Sequence, residues 1–142
     1  MIATVFSTPR EAEQAFYRAF ERADLAEMMA AWAEEEDIVC IHPGAARRAG
    51  VVEVRESWRQ IFASGQRLKF RLTATRTYAA RTICVHSVFE HVAVLGEQRP
   101  ATPLVATNIY VLTERGWRLY LHHASPIAPE GAPEEMPPSV LH

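Results

Sequence analysis

A chain of 142 residues with 49% hydrophobic composition matches one domain built on one continuous core. Its 15 Lys and Arg stand against 17 Asp and Glu, so no basic excess points to a nucleic-acid backbone and no acidic block to a disordered tail. Met1 to Phe6 has neither the basic lead nor the apolar run of a signal peptide, and no later segment has the length of a membrane span. The expected location is therefore the cytoplasm, with neither nucleic acid nor membrane as partner.

The first helix is announced by Thr8, Pro9 and Glu11, an N-cap, a first-turn proline and a capping-box carboxylate. Behind them Ala12, Ala15, Phe16, Ala19, Phe20 and Ala23 recur at three- and four-residue steps, which turns Phe16 and Phe20 inward. Asp24 followed by Glu27 caps a second helix after a tight joint, with Leu25, Met28, Met29 and Trp32 on its apolar face. A short strand, Ile38 to Ile41, stops at His42-Pro43-Gly44. Gly50 opens a third helix carrying Val54, Trp58, Ile61 and Phe62 on one side, and Ser64-Gly65 closes it.

From Leu68 the apolar period changes to two, as a half-buried strand requires. Three more strands are expected over 82–95, 104–113 and 117–124, the last two forming a hairpin across Glu114-Arg115-Gly116. These later strands are apolar on both faces, and helices can cover only one of them. Residues such as Val85, Phe89, Ile109, Val111 and Tyr120 are left for a second cover, which makes a homodimer through the outer sheet face the expected assembly. Residues 1–125 are read as one α+β domain. From Pro126 five of the nine prolines cluster, and 126–142 is read as an extended tail. Cys40 and Cys84 lie in apolar runs and read as small core residues.

The strings Asp24-Leu25, Trp32, Ile41-His42-Pro43-Gly44, Ser57-Trp58, Ala106-Thr107-Asn108 and Gly116-Trp117 through His122-His123-Ala124-Ser125-Pro126 carry a resemblance. Together with the order α-α-β-α-β-β-β-β, they resemble the SnoaL-like branch of the nuclear-transport-factor-2-like superfamily. The closing segment is also similar to the association domain of calcium/calmodulin-dependent kinases. The resemblance implies a cystatin-like cone, a curved, mostly antiparallel sheet wrapped around three helices, with a pocket at its open end and usually a dimer. Members include ketosteroid isomerase, polyketide cyclases, scytalone dehydratase and non-catalytic transport or association proteins, so the fold does not fix the function.

Two function classes follow. One is a small-molecule-binding cone with acid–base chemistry on a neutral apolar ligand, of the isomerase, cyclase or dehydratase kind. The other is a non-catalytic association module. For the first, His42 falls where the isomerase carries its proton-abstracting Asp and is the candidate base. The isomerase tyrosine on helix one matches Phe16, while the adjacent Tyr17 projects about 100° away on an ideal helix. In the strand over 82–95, Cys84, His86, Val88 and Glu90 share one face. The kinase resemblance favours that face inside, with Glu90 as acid and His42, His86 or His123 as its partner. A solvated Glu90 on a rotated strand is the alternative.

Asn108 falls at a pocket arginine of the kinase domain and shares a face with Tyr110. Strict alternation places Trp117, Leu119, Leu121 and His123 inside. The expected ligand wall is thus Phe16, Trp32, Trp58, Phe62, His86, Asn108, Tyr110, Trp117 and His123, although Trp32, Trp58 and Phe62 read more readily as core. His42, His86, Glu90 and His123 are types that ligate zinc or iron, but none of their spacings pre-positions a metal, and no cofactor is expected.

Overall fold

A computed structural model describes residues 4–128. The helices are α1 (Pro9–Arg22), α2 (Leu25–Ala31) and α3 (Val51–Ala63), and the strands are β1 (Val39–Ile41), β2 (Arg48–Ala49), β3 (Leu68–Ala79), β4 (Ile83–Val94), β5 (Thr102–Thr113) and β6 (Gly116–Pro126). The caps form as the side-chain chemistry dictates: Thr8 Oγ1 accepts from the Glu11 N–H and Asp24 Oδ1 from the Glu27 N–H. Between the first two helices Ala23 sits at φ 52°, the left-handed turn that makes the joint tight.

The six strands form one sheet in the order β2-β1-β6-β5-β4-β3, antiparallel except where β1 runs parallel to β6. The two-residue β2 was not expected, since Arg48-Ala49 carries no strand signature and is paired only because it returns along β1. The last strand runs through Pro126, while the rest of the expected tail, from 129, lies outside the described residues. Gly116 closes the β5–β6 hairpin at φ 87°, with the Phe6 carbonyl oxygen 2.5 Å from where a Cβ would stand, so both backbone shape and space demand glycine there.

Directly paired residues share a face of the sheet. The face toward the helices therefore carries Cys84–Tyr110–Leu119, then His86–Asn108–His122, then Val88–Ala106–Ala124, then Leu72–Glu90–Leu104. Against the first two rows pack Phe16, Met28, Trp32 and Trp58, all fully buried. Phe16 is the hub, with ring centroids 4.7 Å from Tyr17, 5.6 Å from Trp58, 6.4 Å from Trp32 and 4.9 Å from His122. The opposite face holds Val85, Phe89, Ile109, Val111 and Tyr120, all half-buried.

One irregularity repositions the last strand. Ile109 pairs with Leu121 but Tyr110 pairs with Leu119, so Tyr120 is an extra residue in β6. Trp117 and Leu119 face the helices as alternation predicts. Beyond the bulge the parity reverses, so His122 and Ala124 face inward and are buried while His123 is exposed on the outer side. The expectation of an inward His123 is corrected by this one inserted residue.

Candidate functional site

A chain of hydrogen bonds runs through the buried interior. Tyr17 Oη on α1 donates to Glu90 Oε2 on β4 at 2.6 Å. Asn108 Nδ2 on β5 donates to Tyr17 Oη at 2.9 Å, and His122 Nδ1 on β6 lies 2.6 Å from Asn108 Oδ1. All four residues are buried, Tyr17 being the most exposed at 6%. An ionised Glu90 only accepts, so Tyr17 donates to it. The Tyr17 oxygen must then accept from the Asn108 amide nitrogen, and Asn108 Oδ1 accepts in turn from His122 Nδ1–H. Every donor points toward Glu90.

Burial raises the Glu90 carboxyl to about 7, although the Tyr17 hydrogen bond pulls it back. Burial, then the neighbouring His42 and His123, hold the His122 imidazole down at about 3. His122 is therefore neutral around pH 7, and Glu90 is the one that changes charge near neutrality.

His42 stands at the end of β1, half-buried, edge-on to Trp58 with ring centroids 4.7 Å apart and 6.3 Å from the His122 ring. Its Nε2 lies 3.3 Å from Ser57 Oγ and 3.5 Å from Cys40 Sγ. Burial, and then the charge of Arg48, lower it to about 4, so its imidazole is neutral and only weakly basic at neutral pH.

The even face of β4 does turn inward, but Glu90 is bonded by Tyr17 and not by a histidine. His86 Nδ1 is paired instead with Glu13 Oε2 at 2.9 Å. The expectation that Tyr17 projects away from the interior is likewise corrected. The sheet curls far enough around α1 that two adjacent positions are buried, Phe16 toward Trp58 and Tyr17 toward Glu90 and Phe70. A single-stripe reading of α1 misses this. The spacing that signals it is Glu13 to Tyr17 on α1 against His86 to Glu90 on β4, four residues apart on each element. Of the expected ligand wall, Phe16, Trp32, Trp58 and Tyr110 are fully buried packing, while Phe62 and Trp117 are half-buried against them. Among the described residues no group of three or more His, Cys, Asp or Glu is placed to hold a metal ion. A groove of about 850 Å³ lies away from the hydrogen-bond chain, where Ile83, Ile109, Val111 and Tyr120 of the outer face meet Arg115 of the hairpin.

The profile of the SnoaL-like domain matches residues 10–129. The chain belongs to the SnoaL-like family. Among solved structures, a candidate calcium/calmodulin-dependent protein kinase type II association domain from Thiobacillus denitrificans is 38% identical to this SnoaL-like chain, over 87% of it and 98% of its own length, with a TM-score of 0.82. A candidate dehydratase of the nuclear-transport-factor-2-like family from Streptomyces avermitilis is 30% identical over 82% of this chain and 91% of its own, with a TM-score of 0.75. A nuclear-transport-factor-2-like protein of unknown function from Pseudomonas putida, 19% identical over 91% of this chain and 93% of its own, shares the fold at a TM-score of 0.74. No curated protein matches the chain. Its fold is thus the cystatin-like, nuclear-transport-factor-2-like one that the sequence resemblance implies. Among the described residues no helix is long and apolar enough to cross a membrane.

Proposed function

We propose that this SnoaL-like chain binds a small neutral molecule at the open end of its cone and does acid–base chemistry on it, with Glu90 as the proton-transferring group. The carrying observation is the 2.6 Å Tyr17–Glu90 bond, buried among apolar side chains. Burying four linked polar groups costs stability that hydrophobic packing would not, and Glu90 gains from it a proton affinity matched to neutral pH. Tyr17 adds a donor for negative charge developing on a ligand oxygen. The likeness to a candidate dehydratase at 30% identity supports the same class. His42 and Asn108 orient the ligand, and His86 steadies α1 against β4 through Glu13.

Incubation with a panel of cyclic and aryl ketones in D₂O, read by mass spectrometry for α-deuterium, tests this. Glu90→Gln is expected to lower exchange on the accepted ketone by about a hundredfold or more. Exchange that is no faster with the native chain than with Glu90→Gln on every ketone sinks the proposal.

A second reading, an association module, has its own support. The closed end of the cone is filled by fully buried aromatic side chains, and the 38% identical neighbour is described as an association domain. On this reading the outer face of β4, β5 and β6 pairs with a second copy.

A further inference from the structure

The hydrogen-bond accounting around His42 and His122 fixes which of their nitrogens carries a proton. Ser57 Oγ donates its single proton to the Val54 carbonyl at 2.7 Å, so toward His42 it can only accept. With Ser57 Oγ the nearer partner and only accepting, and Cys40 Sγ at 3.5 Å able to act as a second, weaker acceptor, the arrangement favours the proton on His42 Nε2 and leaves Nδ1 bare. His122 donates through Nδ1 to Asn108 Oδ1 and leaves Nε2 bare. Neither bare nitrogen has a partner among the described residues. The two rings stand 6.3 Å apart, and both flank Trp58, at 4.7 and 6.2 Å. Each tautomer is locked from behind by a residue of another element, Ser57 of α3 and Asn108 of β5.

We infer that the ligand of this cone is held by a hydroxyl or amino group that donates to His42 Nδ1 or His122 Nε2, so that the site selects hydrogen-bond donors over their alkylated analogues. The inference rests on the small-molecule reading above and deepens it by naming the ligand's chemical class. A carbonyl or ether oxygen offers these nitrogens only a second lone pair, which repels. A donor fills an acceptor that would otherwise lose its water on ligand entry. His42 is half-buried and is the member of this group nearest solvent, while His122, Tyr17 and Glu90 are all buried behind it. A ligand of this class would present its donor to the imidazoles and its reacting carbon toward Glu90.

The test uses the native full-length chain at pH 8, with two-bond ¹H–¹⁵N correlation spectra of the histidine rings and four probes: phenol, 2-naphthol and their methyl ethers. Without ligand, His42 is expected as the Nε2–H tautomer and His122 as the Nδ1–H tautomer. On titration the phenolic probe is expected to bind about tenfold or more tighter than its ether and to shift at least one of the two bare nitrogens. The opposite tautomers overturn the inference. So does an ether that binds within the cone as well as its phenol, an outcome that leaves the small-molecule reading standing. If none of the four probes shifts any cone residue, the small-molecule reading falls and takes this inference with it.

Discussion

At the scale of single residues, the charge on Glu90 and the neutrality of His42 and His122 make stability depend on pH in opposite senses. Glu90 is raised in the folded chain, so its contribution is greatest below about 4.3, its ordinary value, and is lost as pH rises through about 7. His42 and His122 are lowered to about 4 and about 3, so their contribution is present above about 6.5 and lost as pH falls toward those values. Stability should peak near pH 6.5. Glu90→Gln keeps the shape of the side chain without the charge, so its stability relative to the native chain should rise by about 1.4 kcal/mol between pH 6 and pH 8. Urea unfolding at both pH values measures it, and a difference that stays constant means that Glu90 does not titrate in this window.

At the scale of elements, the β6 bulge at Tyr120 is the feature that decides which histidine enters the cone. His122 is 1% exposed and bonded to Asn108, so His122→Ala should cost about 2–4 kcal/mol through a cavity and an orphaned amide. His123→Ala on the exposed side should stay within about 0.5 kcal/mol. Chemical denaturation of the two variants separates the registers: equal costs, or a larger cost at His123, would mean that the strand is not bulged at this place.

At the scale of the whole molecule, no layer among the described residues covers the outer face of the sheet. Tyr78 and Ile83 are 60% and 45% exposed there, beside the half-buried Val85, Phe89, Ile109 and Val111. A second copy laid on this face would bury about 800 Å² from each partner in an interface of ordinary size. Light scattering should therefore give a dimer for the full chain and for a version ending at Ala128. A monomeric full chain rules the dimer out, and a dimer lost on truncation assigns the cover to residues 129–142.

The sequence by itself determined every element except the short β2, and their order, because caps, turns and apolar periods are local. Thr8 with Glu11, Asp24 with Glu27, Gly50 and Gly116 sit where the chain starts or stops an element, whatever surrounds them. Strict alternation from Cys84 to Glu90 groups the residues of each face of β4, but the choice of the inward one comes from the resemblance to the kinase association domain. What only the tertiary structure decided is who meets whom. Glu90 pairs with Tyr17, 73 positions away, because the curled sheet buries a second flank of α1, and no periodicity along one helix reports the curvature of a sheet elsewhere. His122 displaced His123 because one extra residue in β6 reverses a period of two, and a bulge without a glycine leaves no mark in composition. The proton affinities of Glu90 and His42 likewise depend on burial, a property of the packed molecule that neither residue carries in its own identity.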